Sequence, residues 1–223
     1  MIRQLEGHLR QSLLAQPESG MGYQVVECAY RDGGRERMLA LNATYLAADW
    51  QEVQKAAAGS RWLFEERLKS AAAGAVGLRD IASLQVQRPA LAVREQVRKA
   101  AGGPASDAPE SESRPGAEFR RFSAFENDRR VTPEGGLVPG TYTTTAADAD
   151  AHVRTGEDAV KRYALPNPQP ACHQFVIRPP AKTRIKEGVA EPAYGQPGGG
   201  MEVIFVAGSP PKTVTKGRTL PEG

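Results

Sequence analysis

Along the start of the chain, hydrophobic residues recur first at helical spacing and then in alternation with polar ones. The helical pattern predicts a helix over residues 2–15, which Pro17 would end and whose apolar face is formed by Ile2, Leu5, Leu9 and Leu13. The segments GYQVVECAY and ERMLALNATYLA flank RDGG, a turn sequence between two runs of strand-forming residues. Together they predict a β-hairpin after the first helix.

Helical spacing returns after residue 48. Asp49 can cap a helix over DWQEVQKAAA, and Ser60 can cap a second one over SRWLFEERLKSAAA. The second helix would bring Trp62, Leu63 and Leu68 to a core. A last helix is predicted over residues 90–101, so residues 1–101 are expected to form one α+β unit.

Composition changes over residues 102–118. This stretch, GGPASDAPESESRPGAE, is rich in Gly, Pro, Ser and acidic residues, and it has no large apolar side chain with which to build a core. It predicts a disordered linker between residues 1–101 and a second unit over residues 119–223.

Short runs of β-branched and aromatic residues dominate the second unit. The predicted strands are EFRRFSAF, GLVPGTYTTT, HQFVIRP, TRIKEGVA and GMEVIFVAG. One or two short helices are predicted over AADADAHVRTGEDAVKRYAL, with a break at Thr155 and Gly156. The fold class is therefore α+β: N-terminal helices plus a β-hairpin, a linker, and a mostly β domain with a cleft.

Charge and composition exclude several classes of partner. The net charge of +3, without a basic stripe that interleaves aromatic residues, argues against nucleic acid. No apolar run approaches the roughly 20 residues of a membrane helix, and the N-terminus lacks the apolar core of a signal peptide. We expect a cytoplasmic protein or an effector delivered without such a signal.

Cysteine and histidine positions bear on redox state and on metal binding. Cys28 and Cys172 fall in separate predicted units, which indicates reduced thiols in a reducing compartment. His8, His152 and His173 are scattered, and neither cysteine has a partner at ligand spacing. No metal is therefore expected.

Three kinds of polar residue occur in order on successive predicted strands of the second unit. Arginines lie in FRRF, threonines in GTYTTT and a carboxylate in GGGMEVIF; they are Arg120, Arg121, Thr143, Thr144 and Glu202. Arginine can bind phosphate or ribose oxygens through paired N–H groups, and a carboxylate can stabilise a developing sugar cation. The set suits a substrate with phosphates at one end and a reacting ribose at the other; three unrelated strands are the alternative.

The loop GQPGGG leads into the strand that carries Glu202. It matches neither the P-loop nor the dinucleotide-binding fingerprint, because both of those lead into a helix. Gly198, Gly199 and Gly200 can take positive φ and admit a ligand close to the backbone. An ordinary turn or bulge is the alternative.

The segments RYALPNPQPACHQFVI and GVAEPAYGQPGGGMEVIF together resemble the C-terminal core of the tuberculosis necrotizing toxin family of NAD+ glycohydrolases. In that family an R-A-L-P-like stretch precedes a histidine that opens a strand, and a G-Q-P-G-G-x-x-Q loop closes the site. The matching positions here are Arg162, Ala164, Leu165, Pro166, His173 and residues 195–199. The resemblance covers about residues 119–206 and implies NAD+ as the substrate.

One position departs from that family. Its catalytic glutamine corresponds to Glu202, and a glutamate there is similar to the wider ADP-ribosyltransferase toxin fold, whose arginine and hydroxyl motifs resemble Arg121 and Thr143–Thr144. Both families imply cleavage of the bond between nicotinamide and ribose, with water or a macromolecule as the acceptor. Arginine-directed transferases usually carry a second acid where Gly200 stands, which disfavours arginine as the acceptor.

The resemblance implies a role for each candidate residue. Glu202 would stabilise the ribosyl cation and Arg121 would clamp phosphate or ribose, with Arg120 as the alternative because neighbours on a strand face opposite sides. Thr143 and Thr144 would support the ribose side, His173 would contact the phosphates, and Tyr142 would stack on the nicotinamide ring. Gln196 would shape the loop, and Gly198, Gly199 and Gly200 would let NAD+ approach the backbone.

A toxin of this kind would use residues 1–101 for delivery or recognition, with an immunity protein or a delivery apparatus as the partner. Two other functions stay open at this point. One is transfer of ADP-ribose to a protein or nucleic acid, and the other is a binding or structural module without activity.

Overall fold

A computed structural model describes residues 1–58, 64–75, 79–87, 103–166 and 171–221. The α-helices in these ranges are α1 (Gly7–Leu14), α2 (Trp50–Ala57), α3 (Phe64–Ala73), α4 (Ala146–His152) and α5 (Gly156–Arg162), and a 3-10 helix covers Ala105–Asp107. The strands are β1 (Arg3–Gln4), β2 (Tyr23–Tyr30), β3 (Arg35–Leu41), β4 (Tyr45–Ala47), β5 (Ile81–Val86), β6 (Ser111–Glu112), β7 (Phe119–Ser123), β8 (Thr141–Thr145), β9 (His173–Ile177), β10 (Arg184–Val189), β11 (Met201–Phe205) and β12 (Val214–Thr219). The predicted α+β class is confirmed, with antiparallel strands in two sheets.

The N-terminal sheet has the strand order β1-β4-β3-β2-β5. The predicted hairpin is confirmed, because β2 and β3 pair from Tyr23↔Leu41 to Ala29↔Arg35. Gly33, in the turn between them, has a φ of 89°, which glycine adopts without a steric cost. The second predicted strand divides in two, since Asn42 and Ala43 turn the chain into β4.

The first helix is shorter than predicted. Arg3 and Gln4 pair with Leu46 and Tyr45 as the edge strand β1, and α1 begins only at Gly7. Ile2 and Leu5 are buried as predicted, but they flank a two-residue strand and are not one face of a helix. Apolar residues three apart fit either arrangement, so the spacing alone could not separate them.

The later N-terminal helices begin as predicted where the structure describes them. The Asp49 carboxylate accepts a hydrogen bond of 2.8 Å from the Glu52 N–H and caps α2, and Leu68 of α3 is buried. Ser60, Trp62, Leu63 and the predicted helix over residues 90–101 lie outside the described residues. No helix in the described ranges is long and apolar enough to cross a membrane.

The C-terminal sheet has the strand order β12-β9-β7-β8-β11-β10-β6. Helices α4 and α5 cover one side of it, which we call the helix face; its buried cluster includes Phe122, Tyr142, Ala149, Ala159, Val160 and Ile204. The opposite face buries Phe119, Phe175, Ile177, Val203 and Phe205. The predicted helix break is confirmed at Thr155, which caps α5 in a reciprocal pair of hydrogen bonds with Asp158.

The predicted disordered linker needs correction. Its described part, residues 103–118, contains the 3-10 helix and β6, which adds to the edge of the C-terminal sheet through pairs with Arg184 and Ile185. Ala105 of the 3-10 helix is fully buried. Backbone hydrogen bonds hold this segment, and those are not visible in a hydropathy pattern. The division at residues 101 and 119 stays a prediction.

The two halves of the chain pack against each other. Phe125, in the loop after β7, stacks on Tyr45 at 6.1 Å and lies edge-on to Phe64 at 5.2 Å. Arg130 donates hydrogen bonds to the Leu13, Leu14 and Gln16 carbonyls at the C-terminal end of α1. The N-terminal half therefore contributes directly to the surroundings of the C-terminal sheet.

Candidate functional site

The three strands that carry the candidate residues are neighbours in the order β7-β8-β11. Arg120 pairs with Thr144, and Val203 pairs with Thr143. Carried one residue further, that register sets Glu202 opposite Thr144. Since side chains alternate along a strand, Arg120, Thr144 and Glu202 form one row across the helix face. The sequence predicted these residue types, and the sheet aligns them.

Glu202 is 7% exposed and lies beneath the 3-10 helix. The backbone N–H of Ala105 donates a hydrogen bond to its carboxylate, while Glu191 and Glu18 are nearby acids. Burial, with the like charge of Glu191 next in effect, raises the pKa of Glu202 to about 8. This carboxyl group is therefore mainly protonated at neutral pH.

Tyrosines surround Glu202 on the other side. Tyr23 comes from β2 in the N-terminal half, and its ring meets that of Tyr194 edge-on at 5.1 Å. Burial raises the pKa of the Tyr23 hydroxyl, with Tyr194 and Glu202 as further causes. Tyr142 is buried on the same face as Glu202. Residues from both halves thus form the walls around the acid.

Arg121 is fully buried at the point where β7 and β8 separate. All five of its N–H groups are used: they donate to both oxygens of Glu18, both oxygens of Asp128 and the Tyr142 carbonyl. The Tyr142 N–H also donates to Glu18. This placement corrects the expectation that Arg121 clamps a substrate, because its guanidinium has no N–H left for a phosphate.

Arg120 is the arginine that shares the helix face with Glu202. Its guanidinium contacts the Glu118 carboxylate at 2.5 Å and the Asp150 carboxylate of α4 at 3.5 Å. The side chain is 11% exposed, so it is not enclosed as Arg121 is. Of the two arginines, only Arg120 shares the helix face with Glu202, and Thr144, which lies between them in the row, is fully buried.

His173 and Thr143 lie on the opposite face. His173 alternates in phase with Phe175 and Ile177, which are buried there. The Thr143 hydroxyl donates to the Val203 carbonyl at 3.0 Å. The structure therefore does not bring these two side chains together with Glu202.

The glycine loop packs on the end of α5. The N–H groups of Gly198 and Gly200 donate to the Lys161 and Arg162 carbonyls, and the Gly199 N–H donates to the Ala190 carbonyl. A Cβ on Gly200 would lie 2.5 Å from the Tyr163 ring. The Gln196 N–H closes a tight turn on the Ala193 carbonyl. These backbone N–H groups are already hydrogen-bonded within the protein, so an ordinary turn describes the loop better than an open ligand cradle.

Sequence reasoning missed Glu18, Tyr23 and Ala105 as neighbours of the site. Glu18 and Tyr23 lie far from Glu202 along the chain and in a half with no recognisable motif. Ala105 acts through its backbone N–H, for which residue type gives no signal. Within the described part of the chain, no group of three or more His, Cys, Asp or Glu residues is arranged to hold a metal ion.

No protein-family model matches the chain. No curated protein matches it either. One chain of a solved structure of Tne2 in complex with Tni2 is similar over 52% of this chain and 95% of its own length, at 17% identity and a TM-score of 0.38. A likeness this weak supports no conclusion about the site.

Proposed function

We propose that the helix face is a site that hydrolyses NAD+ to nicotinamide and ADP-ribose, with Glu202 as the catalytic carboxylate. The observation that carries this proposal is the row of Arg120, Thr144 and Glu202 across three neighbouring strands. A carboxylate held beside a ribose stabilises the cation that forms as the glycosidic bond breaks. The bonding electrons leave with nicotinamide, water adds to the ribose carbon, and a proton is released.

The row assigns a part to each side chain. The Glu202 carboxylate would accept a hydrogen bond from a ribose hydroxyl, which would take the place of the Ala105 N–H. Arg120 would contact phosphate or ribose oxygens in competition with Glu118 and Asp150. Thr144, which is fully buried between them, would support the ribose side of the site from within the sheet.

The raised pKa of Glu202 is compatible with this role. A protonated acid cannot stabilise a cation, but the nicotinamide ring of NAD+ carries a positive charge. An opposite charge nearby lowers the pKa of a carboxyl group. Substrate binding would therefore ionise Glu202 at the moment when its charge is needed.

Hydrolysis is favoured over transfer to arginine by the surroundings of Gly200. The second acid of arginine-directed transferases would stand at this position, and even a Cβ there would meet the Tyr163 ring at 2.5 Å. An acid at this position would have to displace the Tyr163 ring. A docking role of residues 1–101 for an immunity protein or a delivery apparatus stays a prediction.

The test is nicotinamide release from NAD+ by the full chain and by Glu202→Gln. We expect release by the wild-type protein and at least a hundredfold loss in the variant, which corresponds to about 2.7 kcal/mol of transition-state stabilisation. Glu187→Gln is the matched control, because Glu187 is an exposed carboxylate on the neighbouring strand β10, one residue from the partner of Glu202. Absence of release from the wild-type protein, also with cell extract present as an acceptor, would leave a binding module as the function.

A further inference from the structure

A cavity of about 550 Å³ opens between the two halves of the chain, next to the row of Glu202. One wall consists of residues 15–19 and the end of β5, and the other of Lys186, Ile204 and Tyr142 on the helix face. Ligand pockets for molecules of nucleotide size typically have volumes of about 300–1,000 Å³. The cavity is therefore large enough for a nucleotide.

The lining combines apolar walls with a single cation. Val86, Ile204 and Val206 supply apolar surface, and Gln85 and Gln87 add side-chain amides at the rim. Among the described residues that line the cavity, the cation is Lys186. Two acids also line it, but Glu18 is bonded to Arg121 and Glu110 to Arg184. This chemistry suits a planar base in the apolar part and a phosphate on Lys186.

The cavity and Glu202 lie side by side on the sheet. Lys186 pairs with Ile204 and Ile204 with Tyr142, whereas Gly188 pairs with Glu202. The two rows are thus two residues apart along the strands, or about 7 Å. That distance is shorter than an extended NAD+ molecule. The pyrophosphate and the nicotinamide ribose of one NAD+ could therefore lie on neighbouring rows.

The 3-10 helix touches both rows. Its Ala105 N–H bonds to the Glu202 carboxylate, and the Ser106 carbonyl accepts a long hydrogen bond of 3.4 Å from Lys186 Nζ. These backbone groups occupy a hydrogen-bonding position on the acid and one on the ammonium, where a ribose hydroxyl and a phosphate oxygen could bind in their place. A phosphate would replace the carbonyl on Lys186 with a stronger, charge-assisted bond.

We infer that this cavity binds the adenosine diphosphate part of the substrate and that Lys186 binds its pyrophosphate. The inference rests on the proposed NAD+ hydrolysis for the identity of the ligand. It adds that residues 15–19 and β5 of the N-terminal half form one wall of the substrate site. Residues 1–101 then take part in substrate binding.

The test is calorimetric binding of ADP-ribose and of AMP to the full chain, because neither ligand contains the bond that is cleaved. We expect Lys186→Gln to weaken ADP-ribose binding at least tenfold, or about 1.4 kcal/mol, and Lys186→Arg to retain most of it. Lys182→Gln is the control, since Lys182 is an exposed lysine in the turn before β10. Gln85→Trp, at an exposed strand position on the N-terminal wall, should also weaken binding by filling the cavity.

The outcomes separate this inference from the proposed function. Unchanged ADP-ribose binding in both Lys186→Gln and Gln85→Trp overturns the inference, even where the wild-type protein cleaves NAD+. Binding that both variants weaken supports the cavity, even where no nicotinamide is released and hydrolysis fails. Absence of ADP-ribose and AMP binding to the wild-type protein overturns the inference.

Discussion

At the scale of single residues, burial decides what the charged groups of this protein can do. Glu202 and Arg121 are both enclosed, but with different partners. Arg121 is matched by two carboxylates, whereas Glu202 has a backbone N–H and two acids as neighbours. A buried charge without a counter-charge is costly, so Glu202 gains a proton where Arg121 keeps its own.

The protonation of Glu202 predicts a pH dependence of stability. The pKa is about 8 in the folded protein and near 4.5 for an unperturbed side chain, so the folded state binds the extra proton between these values. The free energy of unfolding should therefore fall as pH rises through this window, by up to about 1.4 kcal/mol per pH unit, and level off above about pH 8. Glu202→Gln, which mimics the neutral acid, should lose this part of the slope.

Urea unfolding of the wild-type protein and of Glu202→Gln over this pH range measures the difference. Groups that do not contact Glu202 contribute equally to both proteins and cancel in the difference. Glu187→Gln should keep the wild-type slope, because Glu187 is exposed. Parallel pH profiles for the wild-type protein and Glu202→Gln would contradict a raised pKa.

The sequence indicated which residues belong to the candidate strands, but not which face of the sheet each side chain occupies. Strand alternation implied that only one of Arg120 and Arg121 faces the cleft, but it could not say which. The choice depends on Glu18, more than 100 positions away along the chain, which together with Asp128 and the Tyr142 carbonyl uses every Arg121 donor. The family resemblance predicts His173 at the site, but the alternation of side chains along β9 puts it on the opposite face of the sheet.

At the scale of elements, the glycine loop serves the end of a helix. The last carbonyls of an α-helix have no partner within the helix. In α5 the final two, at Lys161 and Arg162, accept hydrogen bonds from Gly198 and Gly200. The loop therefore fixes the helix end and the start of β11, one residue before the pair Met201–Glu202.

Gly200→Ala tests this arrangement. The added Cβ would meet the Tyr163 ring at 2.5 Å and push the loop from the end of α5. Overpacking of this kind costs about 1–3 kcal/mol, and we expect a loss of that size in the free energy of unfolding. Gly74→Ala is the control, because its Cβ would make ordinary contacts at 3.8 Å or more. Equal stability of the two variants would show that the loop does not pack tightly on Tyr163.

Elements with strong local signals were predictable, and those held by distant partners were not. The RDGG hairpin and the caps at Asp49 and Thr155 depend on neighbouring residues and appear where the sequence indicated. The segment over residues 103–118 has a linker composition, yet it pairs with β10 and covers Glu202 through backbone groups. A hydropathy pattern contains no information about such contacts.

At the scale of the whole molecule, a buried cluster of charges joins the two halves. Glu18 comes from the loop after α1, whereas Arg121, Asp128 and Arg130 come from the C-terminal half. The cluster contains two acids and two bases, so its charges balance. Breaking such a cluster by removing one member costs about 3–5 kcal/mol, because the remaining charges stay buried without a partner.

We therefore expect Arg121→Met to lower the free energy of unfolding of both halves together. Both tryptophans, Trp50 and Trp62, belong to the N-terminal half, so their fluorescence reports on that half alone, whereas far-ultraviolet circular dichroism reports on the whole chain. If the halves unfold as one unit, the variant should shift both denaturant transitions by about 3–5 kcal/mol. Arg178→Met, which removes an ion pair between the largely exposed Arg178 and the partly buried Glu118, should cost less than about 1 kcal/mol. A tryptophan transition that Arg121→Met leaves in place would mean that the halves unfold separately and that the N-terminal wall of the cavity is not held against the sheet by this cluster.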